Sequence, residues 1–422
     1  MVIVAGGGIA LAALAAYHNS FSGPFVFDDG GSIIENRTIR HLWSALSPPP
    51  NETVSGRPVL NLSLAFNYAL SGTKVWSYLA LNLAIHILAG LTLFGLVRRT
   101  LLKVQSSRFN VQGSATGVAF CVALLWTLHP LQTEAVDYVV QRAESLMGLF
   151  YLLTLYCFVR FADRRETEGR SDLTSGFWFL SSVFCCLLGM ATKEVMVSAP
   201  LMVLLYDRTF VAGSFREAWR RRRRFYLALA GTWLLLGYLV LSTGGNRGGT
   251  IGFDVGVAWW VYGLTQFRAI AHYLWLSLWP HPLVFEYGTY WVKHASEVVP
   301  YAMMVVLLAV GTVMALKRRP VLGFLGAWFF AILAPTSLVP GTTQMIVEHR
   351  MYLPLAAVLV LFVTAIYALA GRRSVVIFLI LSVGLGWATS RRNENYRSEL
   401  ALWGDTVAKQ PDNARARNNY GD

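Results

Sequence analysis

Charge is what this 422-residue chain has least of. Asp, Glu, Lys and Arg make up 14% of it, against about 25% in an ordinary soluble domain. With 55% hydrophobic residues and a mean hydropathy of +0.48, that shortage excludes a soluble globular protein, a disordered chain and a fibrous one. Cysteine is scarce too. Cys121, Cys157, Cys185 and Cys186 all fall in apolar runs, with neither metal-ligand spacing nor a disulfide framework, so they say nothing about redox compartment. No glycine pattern of Rossmann or P-loop type stands between a strand and a helix, and Gly244-Gly245 and Gly248-Gly249 read as loop glycines. Negative charge is the scarcer sign: 23 acidic residues face 36 Lys and Arg, a net +13. On a soluble protein such an excess suggests nucleic acid; on a membrane protein its placement sets orientation.

What is abundant is apolar sequence of spanning length, which predicts an all-α polytopic membrane protein. Candidate spans lie near 2–17, 75–97, 114–128, 145–160, 176–191, 195–206, 225–242, 300–316, 321–335, 351–370 and 374–390, eleven in all. Twenty basic residues gather on alternate short loops: Arg98, Arg99, Lys103 and Arg108; Arg160, Arg164, Arg165 and Arg170; Arg208, Arg216 and Arg220 through Arg224; Lys317 to Arg319; Arg372 and Arg373. Ten are spread thinly over the other side, and the positive-inside rule makes the first set cytoplasmic. Residues 220–224 are then a topology determinant, and nucleic acid is not an expected partner. The stretch 266–281, with Trp275, Trp279 and His281-Pro282, is expected to lie in the interface rather than cross. Ala12 to Ala16 resembles a signal-peptide cleavage region, but no basic residue precedes the apolar run, so the first helix is expected to be retained.

Ionisable groups at membrane depth are costly and by default functional. The outer side collects them. Phe25-Val26-Phe27-Asp28-Asp29 follows the first helix, and its two carboxylates admit three readings: a general base with a partner, ligands of a hard cation, or a solvated turn. Farther on come Asn36, Arg57-Pro58 and the helix pair Asn82 and His86, a spacing more often used for interhelical hydrogen bonds. The second outer loop reads His129-Pro130-Leu131-Gln132-Thr133-Glu134-Ala135-Val136, followed by Arg142 and Glu144; the third is Thr192-Lys193-Glu194; the last runs from Val347-Glu348-His349-Arg350 to Tyr352-Leu353-Pro354. Arg142, Lys193 and Arg350 thus face one side at the membrane boundary. Arg binds phosphate oxygens in pairs and Lys binds them as a point charge, so the three suit a lipid-linked phosphate. The structural alternative is that each neutralises Glu144, Glu194 or Glu348.

After residue 390 the chain turns polar. With Pro411 as the closing proline of a tetratricopeptide repeat, Trp403 and Tyr420-Gly421 fall at the repeat's aromatic and Leu-Gly positions. A single repeat cannot bury its own face. The expected organisation is therefore a membrane domain at 1–390 and, at 391–422, the start of an outer-face array continuing beyond Asp422.

These motifs, in this order, resemble the transmembrane, tetratricopeptide-containing O-mannosyltransferases, within the GT-C class of polyprenyl-phosphate-dependent glycosyltransferases. The resemblance rests on Phe-Val-Phe-Asp28-Asp29 with Asn36, Arg57-Pro58, Asn82 with His86, His129-Pro130-x-x-Thr133-Glu134-Ala135-Val136 with Arg142, Lys193-Glu194, and Arg350-x-Tyr352-Leu353-Pro354. Leu79 and Gln132 stand where eukaryotic members usually have His, and His349 separates Glu348 from Arg350, which points to a bacterial relative. The resemblance implies a GT-C fold and an outer-face site, periplasmic in a bacterial inner membrane or lumenal in an endoplasmic reticulum membrane. It also implies a polyprenyl-phosphate sugar donor and a hydroxyl acceptor, often protein Ser or Thr, presented by the repeats. Asp28 is then the general base of an inverting transfer, and Arg350, Arg142 and Lys193 hold the leaving phosphate. Asp29 and Glu134 orient acceptor or sugar, while Arg57, His86, His129, Glu194 and Tyr352 are further site candidates. A metal-free reaction is expected; a divalent ion, if used, would take Asp28, Asp29 and Glu134. The rival readings are a lipid-linked sugar flippase, which calls for mid-helix polar groups and inverted repeats, and a non-catalytic anchor for the repeats, which leaves Asp28, His129 and Glu134 without a role.

Overall fold

The computed structural model describes residues 1–104, 114–168, 173–245, 252–253, 256, 258–292, 294–341 and 344–421, without the side chains of 165–168 and 295. Arg108, Arg165, Arg170, Arg247, Lys293 and Asp422 of the sequence reading fall outside the described parts. The described residues fold into helices α1 (Val2–Ala16), α2 (Pro58–Ser71), α3 (Val75–Lys103), α4 (Ala115–Thr127), α5 (Thr133–Asp137), α6 (Arg142–Glu168), α7 (Leu173–Met190) and α8 (Ala199–Phe210). They continue with α9 (Phe215–Ser242), α10 (Trp259–Leu278), α11 (Ala295–Arg318), α12 (Pro320–Leu338), α13 (Pro354–Ala370), α14 (Ser374–Asn393), α15 (Glu399–Lys409) and α16 (Ala414–Gly421).

All eleven apolar runs are helical. By length and composition seven helical stretches can cross a membrane, or eight if α4 and the segment 130–137, bent by 55°, form one span. The difference from eleven has a geometric cause. Helices α1 and α8 have 15 and 12 residues, short of the roughly 20 that cover a bilayer core, and the long stretch 354–397 holds both α13 and α14. Between those two, Gly371 takes φ +58°, a left-handed conformation that costs a side-chain-free residue little and ends α13. By length and composition helix α10 is not among the spanning stretches.

One end of the bundle collects the basic residues. Arg99 and Lys103 at the end of α3 meet Asp163 of α6 at 3.0 and 2.5 Å, Tyr206 of α8 bonds Thr100 at 2.7 Å, and Arg222 at the start of α9 meets Asp207 of α8 at 2.9 Å. Because α3 rises about 1.5 Å per residue, Asn82 and His86 stand well away, toward the other end. The segment expected as a second outer loop is not a loop. Residues 121–149 are buried without interruption, and the chain from 130 to 141 folds as short helical turns inside the bundle. A buried backbone must satisfy its own N–H and C=O groups, and successive turns do so.

Packing is tight where α6 meets the turn before α13: a Cβ on Gly148 would lie 2.6 Å from the Tyr352 ring. Gly148→Val is expected to destabilise the fold by about 1–3 kcal/mol through overpacking, read as a lower melting temperature in detergent.

Candidate functional site

The first outer loop is built around Asp28 and Asp29, and the structure gives the pair different tasks. Phe27 has φ +48°, a conformation that costs an ordinary L-residue about 1–2 kcal/mol. Its ring packs on Phe285 and Trp403 at 6.2 and 5.6 Å, contacts that offset the strain. Beyond this bend Asp29 is fully buried and both its oxygens accept backbone N–H groups, from Val26 at 3.0 Å and Val140 at 2.7 Å. Asp29 thus pins the loop to the buried turn before α6. Burial pushes its pKa up to about 7, against the pull of these N–H donors. Asp28 is only half-buried. Its Oδ2 accepts from Thr53 Oγ1 at 3.1 Å and its own N–H donates to the Tyr138 hydroxyl at 3.0 Å. Burial raises the Asp28 pKa, opposed chiefly by the Thr53 and Tyr138 hydroxyls.

A polar chain leads from Asp28 to the cations. Thr53, bonded to Asp28, accepts from Arg57 Nη1 through its carbonyl at 2.8 Å, and Arg57 Nη2 meets Glu194 at 3.3 Å. Next to it, buried Lys193 meets buried Glu144 at 2.7 Å. Burial lowers the Lys193 pKa to about 8, with Glu144 working against the fall. The same burial brings Arg57 down to about 10.

The turn Glu348–Met351 is a 3-10 helix, whose three residues per turn aim successive side chains in three directions. Glu348 accepts from the Val284 N–H at 2.5 Å and the Tyr287 hydroxyl at 2.9 Å. His349 donates its backbone N–H to Glu134 Oε2 at 2.9 Å and places Nδ1 2.8 Å from Oε1. Burial, with Lys193 next, holds its pKa well below the usual range. Arg350 donates to the carbonyls of Met345 at 3.1 Å and Gln344 at 3.0 Å and to the Tyr262 hydroxyl at 3.4 Å. Among the described residues it has no carboxylate partner, and it is only partly buried.

Several expectations are corrected here. Arg142 does not join Lys193 and Arg350. It is fully buried and committed to Asn82 Oδ1 at 2.5 Å, the Ser63 carbonyl at 3.0 Å and the Tyr78 carbonyl at 3.0 Å, so it staples α2, α3 and α6. Glu134 and Asp29, suggested as orienting or metal-binding carboxylates, have both oxygens engaged within the protein. Among the described residues no three His, Cys, Asp or Glu side chains gather as a cation site. His86 bonds the Tyr352 hydroxyl and the Thr127 carbonyl, each at 3.0 Å, and stacks on Trp126 with ring centroids 5.1 Å apart; His86 and Tyr352 are therefore core partners. His129 accepts from the Leu131 N–H at 3.3 Å and reaches the Ser277 carbonyl at 3.3 Å, a cap that ties the buried turn to α10. The ion pairs are also exchanged relative to the simple expectation: Lys193 takes Glu144, Arg57 takes Glu194, and Glu348 faces Arg392 at 3.9 Å.

Thr53, Tyr138, Tyr262 and His349 were not candidates. His349 alone carried a signal, as the middle of three consecutive ionisable residues beside an apolar span. Asp29→Asn is expected to cost about 1–3 kcal/mol, because one of the two buried N–H groups would face an amide NH2; a melting temperature equal to wild type would refute the pinning role.

No protein-family model matches the sequence. Among characterised proteins the chain is similar to Protein O-mannosyl-transferase TMTC2 of Mus musculus, 32% identical over 46% of this chain and 23% of that protein. It is also similar to Protein O-mannosyl-transferase TMTC1 of Homo sapiens, 25% identical over 98% of this chain and 52% of that protein. The chain thus spans about half the length of the relative it matches along its whole extent. Among solved structures, ArnT from Cupriavidus metallidurans bound to undecaprenyl phosphate matches with a TM-score of 0.50 at 15% identity, over 96% of this chain and 69% of that one. The chain is a multi-pass membrane protein of GT-C fold, O-mannosyltransferase-like in sequence.

Proposed function

We propose that the chain is a GT-C glycosyltransferase that moves a sugar, mannose, from a polyprenyl-phosphate donor to a hydroxyl of a protein Ser or Thr. The observation that carries this reading is the bonded run from Asp28 through Thr53 and Arg57 to Glu194, with the Lys193–Glu144 pair adjoining it and with Arg350 bonding no carboxylate among the described residues. It offers a base at one side and positive charge at the other. The names of TMTC1 and TMTC2 support the reaction class, and the lipid named with ArnT supports the donor class.

In the mechanism Asp28 takes the proton of the acceptor hydroxyl as its oxygen attacks the anomeric carbon. The new C–O bond forms opposite the bond to phosphate, which breaks, so configuration inverts. Its electrons leave on the polyprenyl phosphate, and Arg350, Lys193 and Arg57 stabilise the charge that develops there. Thr53 positions Asp28; Glu144 and Glu194 position Lys193 and Arg57; Arg142, Asp29, His86, His129, Tyr352 and the Glu134–His349 pair hold the frame. The site faces outward, away from the arginine-rich end, and α15 with α16 begins an acceptor-presenting repeat array.

The test is direct. Purified protein is given candidate polyprenyl-phospho-sugars and a Ser/Thr-rich peptide, and release of polyprenyl phosphate is assayed. Peptide-dependent release is expected; no release with any donor refutes the reading. The rate is expected to fall as pH rises through about 8, where Lys193 loses its proton. It also falls on the acid side as Asp28 is protonated, on a limb above the ordinary Asp range because its pKa is raised. Lys193→Arg should move the alkaline limb upward, and an unmoved limb would remove Lys193 from the phosphate site.

A further inference from the structure

The arginine run 220–224 is built into something more than a topology signal. Ser214 caps α9 by accepting the Glu217 N–H at 3.2 Å, and Glu217 pairs with Arg220 and Arg221 at 2.7 and 2.5 Å. At Arg222 the backbone leaves helical geometry, with φ −133° and ψ 25°, and this side chain turns inward to Asp207. Tyr226 also donates to Asp207. Helix α9 therefore has an elbow. Before it, Phe215 and Trp219 are exposed, as suits a short segment lying in the interface. After it, α9 reaches the site end, where Thr243 packs on Gly56. From Arg222 to Thr243 a helix advances about 32 Å, close to one hydrocarbon thickness of about 30 Å.

Beside the elbow lies a cleft of 460 Å³ between α6, α7 and α9. It is lined by Phe161, Phe179 and Phe225, by Ser175 and Gly176, and by Arg220 to Arg224. The three rings pack on one another, Phe161 and Phe179 lying 4.9 and 5.3 Å from Phe225. Arg223 and Arg224 are exposed and have no acidic partner among the described residues. Setting orientation requires only that basic residues stand in a loop. It requires neither an elbow in the helix nor an aromatic-lined cleft with two guanidinium groups that have no acidic partner among the described residues. A planar guanidinium matches phosphate oxygens in pairs, and apolar walls opening beside it match the acyl chains below a headgroup.

We propose that this cleft binds the phosphate headgroup of an anionic phospholipid of the surrounding leaflet, with the half-buried Phe179 beside the first part of its chains. Basic pockets between spanning helices are suited to such headgroups. The site lies at the opposite end of the bundle from Asp28 and does not depend on the proposed reaction.

The test uses the full chain in nanodiscs of phosphatidylcholine doped with phosphatidylglycerol, followed by native mass spectrometry of the lipids retained after gentle extraction. Wild type is expected to hold phosphatidylglycerol over phosphatidylcholine by about tenfold. Two variants keep orientation intact. R223K/R224K preserves charge but loses paired hydrogen bonding. Gly176→Leu fills the cleft, where an added Cβ meets nothing within 4 Å. Gly176→Leu should lose most of the preference, whereas R223K/R224K, which keeps the charge that separates the two headgroups, should keep the preference and retain less phospholipid in total. Equal retention in both variants, or no preference in wild type, overturns the proposal. Inorganic phosphate that stabilises the protein in pure phosphatidylcholine discs as much as phosphatidylglycerol does in the doped discs would overturn the lipid assignment.

Discussion

Asp28→Asn lowers turnover by about 10²–10⁴-fold, the usual worth of a general base, while donor binding and melting temperature stay near wild type. The asymmetry of the Asp-Asp pair is the reason. Asp28 is half-buried and bonded to a hydroxyl that Asn can still engage, so the substitution removes a proton acceptor and little else. Asp29→Asn is the matching control: it disturbs two buried N–H groups and should show in stability. Turnover of Asp28→Asn within a fewfold of wild type would transfer the base role elsewhere. Loss of turnover together with collapse of the fold in Asp28→Asn would instead make both carboxylates structural.

Arg350→Gln is expected to cost about 10²–10³-fold in kcat, the size of effect seen when one group stabilising developing charge is removed. Among the described residues Arg350 differs from Lys193 and Arg57 in hydrogen-bonding no carboxylate. Its present partners are the carbonyls of Gln344 and Met345 and the Tyr262 hydroxyl, all neutral groups that orient it without cancelling it. Arg350→Lys should recover part of the rate, since charge returns without the paired geometry. A rise in KM alone, with kcat unchanged, would mean that Arg350 binds donor and transition state equally and would remove it from leaving-group stabilisation.

The apolar runs were long and their charged flanks consistent, so the helices and the basic end could be placed from sequence. Lys193 and Arg350 stand out in the sequence as isolated cations on the acid-bearing face, and the proposed function keeps them as donor-phosphate candidates. Arg142 looked the same and is not, because the groups that bind it include the carbonyls of Ser63 and Tyr78, which any residue carries. His86 with Tyr352, and Glu134 with His349, pair across more than 200 residues of chain, and no local spacing announces such contacts. The segment 129–144 reads as a loop because its Pro130, Gln132 and charged residues break apolar periodicity; the structure buries them instead. The different duties of Asp28 and Asp29 depend on the left-handed bend at Phe27, for which a Phe gives no warning.

The segment 283–288 is held from two sides. Glu348 takes the Val284 N–H and the Tyr287 hydroxyl, while Lys409 bonds the Leu283 carbonyl at 2.8 Å and Asn413 the Glu286 carbonyl at 2.9 Å. Arg392 adds a crossbar, meeting Asp405 at 3.0 Å and facing Glu348. The short span between α15–α16 and the turn that carries His349 and Arg350 therefore has no slack in it. It works as a stiff coupling rod: a load that tilts the C-terminal helices is delivered to the turn bearing Arg350.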